Sequence, residues 1–433
     1  MTAPKVQLVI EGVGNVVQRY YAAPLRTIKK DYGGDMSITF VDDSRHWSAE
    51  ERKNKYGPFV KRLKGWARFV DRHSQNDEYQ ALRPDVVFIA TPDVTHIELA
   101  RRWLSPPGRC GQIFIEKPLS ADLGEARDLL FQLKWNDPKC RALDHYCARA
   151  LPIIEELQLD NIRKDLGGRI KSFTFYFLEN GSGPPHIGPI ENEFRTKALK
   201  NGLILDLMPH VLGVLSYFGA IQLLRVLGLK AGRYTYAGQK GGVRKAGIKN
   251  ETFAHVRFAF PSYNTRELQF IKGDAYIGKG VGGVKDLGMR GEVKLLDLEG
   301  VNGRTFRFDF RKKGDRAGTA YLINRNGRRQ KLCDLFSRPY MAIIDRVVRQ
   351  RLNDPQLQLK YDLPIETAKS VLQSIEEMRH PLKRRRAPLP TYYIGHGGDE
   401  APDLYDILDG LEVIQPFQDI EAGEVTSPDR RST

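Results

Sequence analysis

Little in this chain suggests a metal centre, a disulfide scaffold or a membrane anchor. Cys110, Cys140, Cys147 and Cys333 are the only four cysteines in 433 residues, and none stands in a CxxC pair or a His/Cys cluster with zinc spacing. A chain of this length buries a core without covalent staples, so neither a structural metal nor a disulfide is expected. Uncharged apolar runs fall short of the roughly 18 residues that a spanning helix needs. Met1 to Lys5 leads straight into the apolar run Val6–Ile10, with no charged leader and cleavage site, so a soluble cytoplasmic protein without a membrane partner is expected. Acidic residues are outnumbered 53 to 68, giving a formal charge of +15. The basic residues are scattered apart from knots at Arg311-Lys312-Lys313 and Lys383-Arg384-Arg385-Arg386, and no basic-aromatic repeat accompanies them. The excess reads as a solvated surface, or as attraction for a phosphorylated substrate or cofactor, and argues against nucleic acid as a partner.

At this size two domains are expected. The strand Val6–Ile10 is followed by Glu11-Gly12-Val13-Gly14-Asn15 and a helical stretch from Val16 to about Ile28. Glycine lets the chain turn tightly and bring amides to a pyrophosphate at a helix N-terminus. Gly12, Val13, Gly14, Asn15 and Val16 are therefore candidate dinucleotide contacts. Val17 stands where a third small residue is usual, which predicts a helix set farther from the sheet or slightly shifted. The next strand, Met36–Val41, ends in Asp42-Asp43-Ser44-Arg45. An acid at this edge accepts the ribose hydroxyls of NAD, whereas Arg45 would pair with the 2'-phosphate of NADP. Both residue types are present; the reading leans slightly to NAD, and Asp43-Ser44 also fits a helix cap.

Val86–Ala90 is a continuous apolar run suited to a covered parallel strand. Thr91-Pro92-Asp93-Val94-Thr95-His96 opens a helix through Leu104, with Thr95 as its cap and His96 either structural or functional. Gln112–Ile115 runs into Glu116-Lys117-Pro118, and a helix from Asp122 to Leu133 follows. This alternation predicts an α/β fold: an N-terminal doubly wound Rossmann domain over residues 1–147, with the cofactor at the carboxyl edge of its sheet.

A helix is expected from Pro152 to Leu166, ended by Gly167-Gly168. Strand signals at 169–177, 225–229, 252–258, 266–271 and 305–310 predict an α+β domain over residues 148–380, with a large, mainly antiparallel sheet and helices on one face. Its open face would take substrate or a second subunit, in a homodimer or homotetramer. Within the apolar stretch Leu203–Leu215, Asp206 and His210 stand four apart and share a helix face. A buried acid and imidazole need hydrogen-bond partners, and the residues alone leave a structural pair and a catalytic pair both open. Apolar positions 368, 371, 372, 375 and 378 form one helical stripe, ended by His380-Pro381, that should fold back near the first domain. Residues 181–185 and 237–243 read as loops, Gly278–Gly283 as a flexible turn, and 381–433 as an extension with mobile last residues.

In this order, Gly12-Val13-Gly14, Ala90-Thr91-Pro92 with His96, Glu116-Lys117-Pro118, and Asp206 with His210 resemble the glucose-fructose oxidoreductase/inositol dehydrogenase superfamily of NAD(P)-dependent sugar and polyol dehydrogenases. A secondary resemblance is to glucose-6-phosphate dehydrogenases: Asp144-His145-Tyr146-Cys147-Ala148-Arg149 is similar to their substrate segment, with Arg149 where their lysine contacts phosphate. The resemblance implies that Thr91, Pro92, His96, Glu116 and Lys117 face the cofactor and that the bond before Pro118 is unusual, in the sense of cis. His210 would act as general base, Asp206 would orient it or share the substrate hydroxyl, and Lys117 would hold the reacting oxygen. His145, Tyr146 and Arg149 would line the substrate end. The implied activity is hydride transfer between NAD or NADP and a secondary alcohol of a sugar, cyclitol or sugar phosphate. The alternative is a noncatalytic dinucleotide- or sugar-binding regulatory protein.

Overall fold

The computed structural model describes residues 6–411, apart from 74–75, 106–109, 133–139, 180–201, 237–250, 252, 263–268, 280–282, 312–317, 335–338, 353–362, 385–388, 390, 395–403 and 410. The expected loops at 181–185 and 237–243, the segment Asn192 to Lys197 upstream of the apolar helix, and the chain end all lie outside the described residues.

The first sheet contains β1 (Val6–Glu11), β2 (Met36–Asp42), β3 (Arg68–Asp71), β4 (Val86–Ile89), β5 (Gln112–Glu116) and β6 (Cys140–Leu143). They run parallel in the order β3-β2-β1-β4-β5-β6. Every residue of β4 and β5 is buried, as parallel strands covered on both faces require. The direction of winding reverses between β1 and β4, which opens a crevice at the carboxyl ends of these strands. There Gly12 has φ +93°, and a Cβ on it would lie 2.7 Å from the carbonyl oxygen of Ala90. Glycine is therefore needed both for the turn and for the close approach of the two strand ends.

Helical residues run from Asn15 to Tyr32, but Val17–Tyr21 forms a π-turn ahead of the α-helix Ala22–Tyr32. Pro24 lacks the N–H that an α-helix would return to residue 20, and its ring crowds that carbonyl. A widened turn just upstream relieves both problems. The shift anticipated from Val17 thus takes the form of a local change in helix pitch, with Val17 itself fully buried.

The second sheet holds β7 (Ile170–Glu179), β8 (Arg225–Tyr236), β9 (Phe253–Pro261), β10 (Phe270–Lys279), β13 (Val293–Gly300), β14 (Thr305–Asp309), β15 (Thr319–Ile323), β16 (Arg329–Asp334) and β18 (Thr391–Ile394). A separate two-stranded pair joins β11 (Gly283–Val284) to β12 (Met289–Arg290). The nine-stranded order is β16-β15-β14-β13-β7-β10-β9-β8-β18. β7 pairs with β10 and β8 with β18 in parallel, and the other pairs are antiparallel. One face packs phenylalanines 173, 175, 258 and 260 under the helix Leu203–Leu215. The other carries polar pairs such as Arg307 with Asp297, and its apolar end is covered by Leu404, Ile407 and Leu408 of the C-terminal helix Leu404–Asp409.

Three local expectations need correction. The helix expected from Pro152 begins at His145 and runs to Leu157, with a second helix over Leu159–Asp165 after a break at Gln158, whose φ is +56°. The stripe-bearing helix Ile365–Arg384 continues through Pro381. Gly278 belongs to β10 rather than to a turn. The chain also returns to its beginning: β17 (Leu363–Pro364) pairs antiparallel with β6, and the helix Pro339–Leu352 packs against the first domain. Among the described residues no helix is long and apolar enough to cross a membrane.

Candidate active site

The carboxyl ends of β5 and β6 meet the helix Leu203–Leu215, and the chemistry-bearing groups converge there. Lys117 follows β5 and precedes a cis bond to Pro118. Its Nζ donates to the Asp206 carbonyl oxygen at 2.8 Å and to Asp206 Oδ1 at 3.0 Å. One helical turn on, the Nδ1 of His210 lies 2.6 Å from Oδ2 of Asp144, the residue just past β6. Asp144 Oδ1 meanwhile accepts the amides of Tyr146 at 2.8 Å and Cys147 at 2.9 Å, so the same carboxylate caps the helix that starts at His145. Behind Lys117, an apolar recess is lined by Pro118, Ala142, Asp144, Pro209 and Leu372.

This arrangement changes the partner of His210. Asp206 shares a helix face with it, but Asp206 turns to Lys117, and Asp144 orients the ring. Asp144 is the candidate site residue that sequence spacing missed. Its signal was an Asp directly after a strand and directly before a helix, in the N-cap position. Burial would raise its pKa, but the His210 ring, the Cys147 amide and Lys117 outweigh burial and hold it well below its ordinary value, so it remains ionised. His210 is pushed below its ordinary value, first by burial and then by Lys117, against the pull of Asp144. With Nδ1–H donated to Asp144, a neutral ring keeps Nε2 as an acceptor. The ring is fixed further by Phe177, stacked at 5.2 Å, and by Tyr146, edge-on at 4.7 Å.

Glu116 is deeply buried, and its Oε1 accepts the hydroxyls of Tyr21 at 2.6 Å and Tyr340 at 2.7 Å. Burial raises it to about 7 although both hydroxyls draw it down. The π-turn delivers Tyr21 here, and the returning helix Pro339–Leu352 delivers Tyr340. Tyr340 also stacks on His145 at 5.5 Å, and Tyr20 meets both rings, at 4.8 Å from His145 and 5.8 Å from Tyr340. His145 Nδ1 is buried without a hydrogen-bond partner among the described residues, and burial pushes the ring well below its ordinary pKa. Arg149 lies one helical turn from His145, with its guanidinium 5.6 Å from the centre of the Tyr146 ring. Lys294, on β13, completes this corner over Tyr146 and Phe177, paired with Glu179 and Glu292.

At the other end of the crevice Asn15 and Val16 are exposed, and the position of a Cβ on Gly14 is open space. Backbone there is accessible to a ligand, which fits the glycine turn as a dinucleotide cradle. Asp42 is committed elsewhere: Oδ2 accepts the Val13 amide at 2.9 Å and Trp47 Nε1 at 3.3 Å, and Oδ1 accepts the Asp43 amide at 2.7 Å. Burial raises it to about 6. Asp43 caps the short 3-10 turn Ser44–His46 and takes two hydrogen bonds from the Arg45 side chain, at 2.9 and 2.6 Å, which hold it at about 2. Thr95 does not cap the next helix through its side chain; its hydroxyl bonds Thr91 and the Pro92 carbonyl oxygen. His96 is buried, with both ring nitrogens facing backbone carbonyl oxygens.

Residues 6–140 match the model of an oxidoreductase family with an NAD-binding Rossmann fold. No curated protein matches the sequence. Solved structures extend the likeness over both sheets of the chain. KijD10, a 3-ketoreductase from Actinomadura kijaniata in complex with NADP and TDP-benzene, is 13% identical over 90% of this chain and 99% of its own, with a TM-score of 0.60. UDP-N-acetylglucosamine 3-dehydrogenase GnnA from Acidithiobacillus ferrooxidans is 16% identical over 87% and 97%, with a TM-score of 0.53. Glucose-6-phosphate 1-dehydrogenase from Mycobacterium avium is 14% identical over 93% and 96%, with a TM-score of 0.57. At these identities the likeness is one of fold.

Proposed function

We propose that the chain is an NAD(P)-dependent oxidoreductase acting on a secondary alcohol, or the corresponding ketone, of a sugar, cyclitol or sugar phosphate. The observation that carries this reading is the meeting of Lys117 with the Asp144–His210 pair at the carboxyl ends of two adjacent strands. A bound nicotinamide supplies the hydride acceptor or donor. In the oxidation direction His210 Nε2 takes the hydroxyl proton, and Asp144 stabilises the imidazolium that forms. The Lys117 ammonium, held by Asp206, stabilises charge on the reacting oxygen. In reduction the same ring, protonated, returns the proton.

The backbone at Gly12 to Val16 would hold the pyrophosphate. Because Asp42 already holds Val13, Asp43 and Trp47, discrimination at the adenosine ribose falls to Asp43 and Arg45. A 2'-phosphate would draw Arg45 away from Asp43, and a 2'-hydroxyl would bond Asp43, so both NADP and NAD fit, each through a different member of this pair. Arg149 and His145 offer an acidic substituent of the substrate a cation and a ring N–H or acceptor, which favours a phosphorylated sugar. A cytoplasmic homo-oligomer remains the expected setting.

The test is a substrate panel with NAD and NADP, followed at the reduced-nicotinamide absorbance, with Lys117→Ala and His210→Ala as controls. Loss of roughly 100-fold or more in kcat with cofactor affinity retained is expected for each. Unchanged turnover in both variants would sink the assignment.

A further inference from the structure

One buried imidazole ties the cofactor-side turn to the turn that carries Lys117. His96 opens the helix His96–Leu104 and is 1% exposed. Its Nε2 lies 2.8 Å from the Thr91 carbonyl oxygen and its Nδ1 lies 2.8 Å from the Pro118 carbonyl oxygen. Thr91 borders the glycine cradle, where its Cγ2 would stand 3.1 Å from a Cβ on Gly12. Pro118 directly follows Lys117. Proline has no N–H, so beyond the Lys117 amide, which donates to Leu143 O at 3.1 Å, the turn has only the Pro118 carbonyl through which its backbone can be held at that residue. His96 meets that carbonyl. Both ring nitrogens are directed at protein carbonyls, so neither is left for a cofactor contact; the imidazolium donates to both carbonyls, and a neutral ring donates to one while its other nitrogen stays in contact with the second.

We propose that His96 is a positioning residue: its Nδ1 contact with Pro118 fixes the turn that aims Lys117, and its Nε2 contact with Thr91 references that turn to the dinucleotide cradle. The kinetic readout of this role rests on the hydride-transfer reading; the exchange readout does not.

Two near-isosteric variants separate the contacts. His96→Asn sets an amide nitrogen near the Nδ1 position and keeps the Pro118 contact alone, whereas His96→Gln sets one near Nε2 and keeps the Thr91 contact alone. The expected result is a kcat loss of roughly 10- to 100-fold in His96→Gln and under about threefold in His96→Asn, since a misplacement of about 1 Å costs this much. The Kd for NADPH, by nicotinamide fluorescence, should stay within about threefold of the parent in both. Hydrogen exchange measured on the intact chain should speed up at residues 117–120 in His96→Gln and at 91–95 in His96→Asn. Equal kcat losses that track equal drops in Tm would overturn the proposal in favour of a purely structural ring. A dominant rise in Kd would overturn it in favour of a cofactor contact. If the parent turns over no substrate, the reading under Proposed function fails on its own, and identical exchange at 117–120 in the two variants would still reject the clamp.

Discussion

Asp144 serves two structures with one carboxylate, capping a helix through Oδ1 and orienting His210 through Oδ2. An Asn in its place retains an acceptor for the helix cap but lacks the charge that stabilises the imidazolium. Asp144→Asn should therefore lower kcat by roughly 10²- to 10⁴-fold with a far smaller change in Tm; a kcat within threefold of the parent would show that the pair is structural. This pairing was illegible in the sequence because the partners are 66 positions apart, whereas Asp206, four positions away, offered a ready but different candidate. Glu116 gives a residue-level prediction in pH. Its pKa is raised from 4.5 to about 7, so the folded state holds the proton more tightly than the unfolded chain. Ionisation therefore destabilises the fold: there is no penalty below about pH 4.5, it grows as pH rises, and it is complete above about 7. Its size is about 3 kcal/mol. Glu116→Gln keeps an oxygen acceptor for Tyr21 and Tyr340 without the charge. Urea unfolding should show the variant gaining on the parent by up to about 3 kcal/mol between pH 4.5 and 8, and a pH-independent difference would refute the assignment.

Elements whose residues pattern themselves were readable. β1, β2, β4 and β5 announce themselves as apolar runs, and the glycine turn sits where its backbone demands it. β16, Arg329–Asp334, was not readable: it lies at a sheet edge, and its exposed and half-exposed side chains give no alternation, so pairing with β15 rather than burial makes it a strand. The π-turn was equally silent, since Pro24 signals that a helix is in difficulty without stating the remedy. At the glycine turn the expectation is sharp. Gly12→Ala must hold a side-chain residue at φ +93° with a methyl group 2.7 Å from a carbonyl oxygen, so the turn has to move. A stability loss of about 1–3 kcal/mol, together with at least a roughly tenfold weaker NADPH titration, is expected. A variant with parental Tm and affinity would mean that β1 and β4 do not approach so closely at their ends.

At the scale of the molecule, the dinucleotide-binding half is completed by residues from the far end of the chain. Tyr340, Ile343, Ile344, Val347 and Val348 pack into the core on one side of the first sheet. The stripe Val371, Leu372, Ile375 and Met378 packs into the larger core that includes the other side of that sheet and the helix Leu203–Leu215. Burying one such side chain contributes about 1.5–3 kcal/mol, so losing the eight apolar ones besides Tyr340 removes at least as much as the whole net stability of a typical domain, roughly 5–15 kcal/mol. A fragment of residues 1–150 has the right strands in the right order and keeps its own helices on both sheet faces, but the area under the two returning helices is left uncovered. It should bind a hydrophobic dye and melt without a cooperative transition, although the sequence pattern presents it as a separate unit. In the intact chain Ile375→Ala should cost about 2–5 kcal/mol in urea unfolding. Because the same helix walls the recess behind Lys117, that substitution should also lower kcat at temperatures where the protein remains folded. A cooperative melt of the fragment would show that the returning helices are accessories to a self-sufficient domain, and the link from distant core to Lys117 would lose its basis.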